Sequence, residues 1–114
     1  MQRLFIETQV FKKLLDSTNM DWLEKSIKDE ILKDPTKGSV IIGTGGLRKI
    51  RIAKDDSGKS GGYRVIYLDL PSVEITYLLL LFDKSVSENI NSDTKKKLIN
   101  LVQEIKDEIK SHKR

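Results

Sequence analysis

An α+β fold is predicted for this chain: an N-terminal strand and a helix pair, an antiparallel sheet, and a C-terminal helix. Three observations carry that reading. Apolar residues recur at helical spacing in the first third, three β-rich runs lie together in the middle, and a helical stripe returns from about Asp93 onward.

Arg3-Leu4-Phe5-Ile6 is a short apolar run rich in β-formers and reads as the opening strand. Val10, Phe11, Leu14 and Leu15 then follow helical spacing, and Asp16-Ser17-Thr18-Asn19 is the polar cluster that ends this helix and caps the next. Met20, Leu23, Ile27 and Ile31 form the core stripe of the second helix, and Trp22, beside that stripe, is expected to pack between helix and sheet. Asp34-Pro35 stops the helix, because proline excludes helical geometry from the residue before it.

Val40-Ile41-Ile42 is a short strand or a buried loop, and Gly43-Thr44-Gly45-Gly46 is too rich in glycine to stay regular. The runs Leu47–Ala53, Tyr63–Asp69 and Val73–Phe82 then read as strands. The polar loop Lys54–Gly62 and the tight Leu70-Pro71-Ser72 turn separate them, so they form an antiparallel meander. Leu98, Leu101, Val102, Ile105 and Ile109 trace one face of the last helix, with Ser92 or Asp93 as its cap. Residues 110–114 lack an apolar anchor and are expected to fray.

The chain has 114 residues, which fits one domain (1–114) with one core and one site. Lys and Arg number 21 against 17 Asp and Glu, a net charge of +4 that favours a polyanionic partner if it is concentrated in one place. Cysteine is absent, which excludes disulfides, thiolate metal sites and a cysteine nucleophile. No run has the length of a membrane helix or the pattern of a signal peptide, so the expectation is a soluble cytoplasmic protein without membrane contact.

The charge is concentrated between Arg48 and Arg64. Arg48, Lys49, Arg51, Lys54, Lys59 and Arg64 are opposed there only by Asp55 and Asp56. Side chains alternate along a strand, so Lys49 and Arg51 share one face while Arg48, Ile50 and Ile52 share the other. Two adjacent cations on one sheet face suit a phosphate, although charged strands also serve solubility alone. Tyr63 and Tyr67 share a face of the next strand and offer a platform for an unstacked base, with core packing as the alternative. The carboxylates show no metal-binding spacing, and no cofactor is expected.

The string Gly43-Thr44-Gly45-Gly46-Leu47-Arg48-Lys49-Ile50-Arg51, with Gly58-Lys59-Ser60-Gly61-Gly62-Tyr63-Arg64-Val65-Ile66-Tyr67, closely resembles the HigB branch of the RelE/ParE toxin superfamily. The resemblance implies a RelE-like fold and the toxin of a type II toxin–antitoxin system. Such a toxin is a ribosome-dependent mRNA endoribonuclease, or mRNA interferase, that inhibits translation. It further implies a HigA-like helix-turn-helix antitoxin, with operator DNA reached through the antitoxin complex.

Carried over by position, the family's basic pair falls on Lys49 and Arg51, and the arginine of its Gly-Tyr-Arg motif falls on Arg64. The lysine usual after its last strand falls on Lys84. These four are the expected catalytic residues, with Arg48, Lys54, Lys59, Tyr63 and Tyr67 binding RNA around them. Asp83 stands where glycine is common, and Ser85 and Asn91 replace the arginine and terminal tyrosine that some relatives carry. That tyrosine's role therefore does not transfer. The same residues also suit a non-catalytic basic RNA- or ribosome-binding module. The single histidine, His112, lies in the tail and reads as tail charge rather than a catalyst.

Overall fold

A computed structural model describes residues 3–53, 62–83 and 90–112, apart from the side chain of residue 112. The elements follow the expected order: β1 (Leu4–Glu7), α1 (Gln9–Thr18), α2 (Leu23–Lys33), β2 (Ser39–Val40), β3 (Arg48–Ile52), β4 (Tyr63–Leu70), β5 (Ile75–Asp83) and α3 (Ser92–His112). A 3-10 turn, Pro71–Val73, joins β4 to β5, so Val73 belongs to the turn and not to the strand. The helical run through His112 also takes in the start of the stretch expected to fray.

The five strands form one sheet in the order β1-β5-β4-β3-β2. Strands β2 to β5 are antiparallel neighbours, as the meander requires, and β1 returns to lie parallel to β5 with Leu4 opposite Ile75 and Glu7 opposite Leu78. Two helices cover one face and one covers the other. On the first face, Phe11 of α1 and Leu23, Ile27 and Ile31 of α2 pack on Ile50, Ile52, Tyr63, Val65, Tyr67, Leu78 and Leu81. On the second, Leu98, Val102 and Ile105 of α3 pack on Leu47, Ile66, Leu68 and Leu79. Strict alternation on β3 and β4 thus sends odd and even positions to different cores.

One irregularity interrupts that alternation. Ile66 pairs with Leu80 and Tyr67 with Leu78, leaving Leu79 as the extra residue of a β-bulge. Thr8 consolidates it from the side: its hydroxyl donates to the Leu79 carbonyl at 3.0 Å and accepts from the Phe11 amide at 3.0 Å. One side chain therefore caps α1 and ties it to the bulge. Thr8→Ala is expected to lower stability by about 1–2 kcal/mol, the range for losing a helix N-cap, as measured by urea denaturation.

One apolar expectation is corrected here and another is met only in part. Trp22 stands just ahead of α2, outside the Leu23–Ile27–Ile31 stripe, and is 40% exposed rather than buried between helix and sheet. Of the Val40-Ile41-Ile42 run, Val40 closes strand β2 and is 51% exposed, Ile41 packs on the α3 core, and Ile42 lies outside the strand and is 86% exposed. No described helix is long and apolar enough to cross a membrane.

Candidate active site

The basic face is assembled by strand register. Arg51 on β3 stands directly opposite Arg64 on β4, and Lys49 stands opposite Ile66. All three side chains lie on the α3 side of the sheet, since Leu47, Ile66 and Leu68, which alternate with the same parity, pack on that helix. Arg51 is exposed, while Lys49 and Arg64 are half-buried. The cations therefore occupy the end of this face where β3 finishes and β4 begins.

Opposing like charges directly across an antiparallel pair disfavours the sheet by a few tenths to about 1 kcal/mol. Arg64 adds a second unfavourable feature: its Nε is buried and has no hydrogen-bond partner among the described residues. A buried donor left unsatisfied in this way costs about 1–3 kcal/mol. Both features are relieved by one kind of ligand, an anion with several acceptor oxygens lying across the two guanidinium groups.

The structure separates the remaining expected residues. Arg48 points to the opposite face and is occupied at the edge of the sheet, where its Nη1 donates to the Gly38 carbonyl at 2.7 Å and the Thr36 carbonyl at 3.0 Å. It holds the Pro35–Ser39 segment, not the phosphate face. Arg48→Ala is accordingly expected to lower stability by about 1 kcal/mol and to leave the salt dependence of RNA binding as it was, read by fluorescence anisotropy of a short oligoribonucleotide.

Tyr63 and Tyr67 do not form a base platform. Both belong to the α1/α2 core, with 6% and 0% of their surface exposed, and the Tyr63 hydroxyl reaches the Met20 sulfur at 3.5 Å. The Tyr67 hydroxyl donates to the Pro35 carbonyl at 2.8 Å and accepts from the Gly38 amide at 3.0 Å. Burial pushes its pKa above the ordinary value, so it stays protonated and able to donate. The alternation that put Tyr63 and Tyr67 on one face also placed them opposite Arg64; only the packing of α1 and α2 decided which face is covered.

Lys54, Lys59 and Lys84 lie outside the described residues. Gly62, which leads into β4, has φ of +105°, and a Cβ built there would meet the Ile52 carbonyl oxygen at 2.5 Å. Glycine is thus required where the basic loop rejoins the sheet, two residues before Arg64. Among the described residues, no group of three His, Asp or Glu side chains could hold a metal ion.

The family model described as the RelE toxin of the RelE/RelB toxin–antitoxin system matches residues 8–112. The chain belongs to the RelE toxin family. Among solved structures, it is similar to the Escherichia coli toxin RelE in the free state, as a double arginine-to-alanine mutant. The TM-score is 0.51 at 17% identity, over 77% of this chain and 90% of that one. At that identity the likeness speaks for a shared RelE fold. The matched span runs from the α1 cap at Thr8 to the end of α3 and takes in the whole basic face.

Proposed function

We propose that this RelE-family toxin is an mRNA endoribonuclease of the HigB branch that acts on ribosome-bound message, with Lys49, Arg51 and Arg64 holding the scissile phosphate. The observation that carries the reading is that Arg51 and Arg64 stand opposite one another in the β3–β4 register, with the Arg64 Nε buried and without a hydrogen-bond partner among the described residues. The buried Arg64 Nε is poorly explained by stability and well explained by a bound phosphodiester.

RNA supplies its own nucleophile, the 2′-hydroxyl next to the scissile phosphate. Cleavage therefore requires that oxygen to be aligned, the phosphorane charge stabilised and the leaving 5′-oxygen protonated. Arg51 and Arg64 are suited to the second task, because a guanidinium stays charged and offers donors in a fixed fork. Lys49, on the same face, adds charge, and together with Lys84 it is a candidate for moving the proton. No step in this route calls for a metal ion. A lysine is a poor base near neutrality unless its surroundings depress it. A site of this composition gains most from a substrate already aligned, which supports dependence on the ribosome.

The test is to add the purified protein to translating ribosomes and map mRNA ends, with a parallel reaction on free mRNA. New ends with ribosomes alone are expected. Binding without scission would replace this reading with that of a non-catalytic ribosome-binding module. We further propose a HigA-like helix-turn-helix antitoxin as partner, reaching operator DNA through the complex. Co-expression with a small helix-turn-helix protein encoded beside this chain is expected to restore growth.

A further inference from the structure

The geometry points to Lys95, on the first turn of α3, as a further phosphate-binding cation of this site, an inference that rests on the RNA-cleaving reading above. It makes the site bipartite: the sheet supplies Arg51 and Arg64, and the helix supplies Lys95.

Three observations place Lys95 there. The first is helical phase. Leu98, Val102 and Ile105 are buried against the sheet, and Lys95 lies one turn before Leu98 on that stripe. Its exposure agrees: Lys95 is half-buried, whereas Lys96 and Lys97 are exposed.

The second is direction. Tyr77 packs on the same cluster as Ile105 and Ile109, so the C-terminal part of α3 runs near it, and the Glu108 carboxylate adds to the burial that raises its pKa. Tyr77 pairs with Leu68 on β4, four residues beyond Arg64. From Glu108 back to Lys95 the helix covers roughly 20 Å, and from Leu68 back to Arg64 the strand covers roughly 13 Å. Lys106 of α3 donates to the Gly45 carbonyl, which fastens this same C-terminal part of the helix to the segment ahead of β3. The first turn therefore reaches the Arg64 end of the sheet. Phe82, the partner of Arg64 on β5, and Ile90, just ahead of α3, both pack on the α3 core, so the row of Arg64 and the start of α3 border one cluster.

The third is that the turn is fixed. The Asn91 side-chain oxygen accepts from the Thr94 amide at 2.8 Å, and the Lys95 amide donates to the Asn91 carbonyl at 2.9 Å. Helical side chains lean toward the N-terminus, so Lys95 leans away from Leu98 and out of the apolar stripe at the start of α3. Arg64 brings a buried Nε that no described group satisfies. A phosphate there would take donors from both elements.

The test uses the full chain with Lys95→Ala, Lys95→Arg, Lys96→Ala and Arg64→Ala, each first checked for an unchanged melting temperature. Two readouts are taken: mRNA scission on translating ribosomes, and the salt dependence of hexauridylate binding followed by fluorescence anisotropy. Lys95→Ala is expected to cut about tenfold more slowly, the scale of one charged hydrogen bond, with Lys95→Arg recovering most of the loss. It is also expected to lower the salt slope by about 0.7, the value for one phosphate contact on a single strand. Lys96→Ala should match the wild type in both. A salt slope for Lys95→Ala equal to that of the wild type, with the slope of Arg64→Ala reduced, overturns the role of Lys95 and spares the site. Absence of scission by the wild type overturns the cleavage reading, and the binding slopes then decide whether Lys95 contacts phosphate.

Discussion

Arg64→Ala is expected to reduce mRNA scission on ribosomes by about 10²–10³-fold, the range seen when one preorganised donor to a developing oxyanion is removed. The same substitution is expected to leave the fold intact or slightly more stable. Both halves follow from the position of the residue. Arg64 faces Arg51 across the β3–β4 pair, and its Nε is buried without a partner among the described residues. Truncation removes a like-charge contact and an unsatisfied donor, which together disfavour the folded state by an amount on the order of 1 kcal/mol or more. An enzyme that becomes inactive while its denaturation midpoint holds or rises is the signature of a group kept for chemistry. A variant that unfolds at markedly lower denaturant, with activity lost in proportion, would assign Arg64 to the scaffold. Mapping ends on ribosome-bound message and urea denaturation of the same preparations separate the two.

Tyr67→Phe is expected to show the opposite pattern, a stability loss of about 2–6 kcal/mol with the phosphate face untouched. The Tyr67 hydroxyl gives its hydrogen to the Pro35 carbonyl and takes one from the Gly38 amide, both inside the protein. Removing one oxygen strands a buried acceptor and a buried donor, each costing about 1–3 kcal/mol. No water enters cheaply, because Tyr67 is fully buried in the α1/α2 core. Gly38 shows how tight the joint is: a Cβ there would lie 2.7 Å from the Tyr67 hydroxyl and 2.9 Å from the Lys49 carbonyl oxygen.

The loosened segment carries β2, whose Ser39 pairs with Lys49, so the edge of the sheet beside the site loses support. Cleavage near the denaturation midpoint is expected to fall with the folded fraction, while cleavage under strongly native conditions stays near wild type. A denaturation shift below about 0.5 kcal/mol, the scale of an ordinary surface change, would mean that these bonds carry no net stability.

How far the site could be read in advance depended on how far apart its parts lie in the chain. Lys49 and Arg51 on one face and Ile50 and Ile52 on the other needed only the two-residue period of a strand, and the fold places them so. The Leu98–Ile109 stripe needed only the helical period, and it covers the opposite core. Arg64 was visible as part of the basic segment, but its place in the site entered by resemblance alone. The short periods were silent on its register against Arg51, because that register is set across the Lys54–Gly62 loop.

The amino-acid sequence by itself determined the order of elements, the single basic segment, the two faces of each strand and the membership of the RelE toxin family. These are local or compositional properties, fixed by side-chain periodicity, by proline and glycine, and by a motif contiguous in the chain. Only the tertiary structure decided which face each helix covers. That choice buried Tyr63 and Tyr67, turned Arg48 to the carbonyls of Thr36 and Gly38, and left Arg51 opposite Arg64. It also placed β1 parallel to β5. The physical reason is that each of these outcomes is a contact between residues distant in sequence. Burial of apolar area over the whole chain selects such contacts, and no short window of residues contains them.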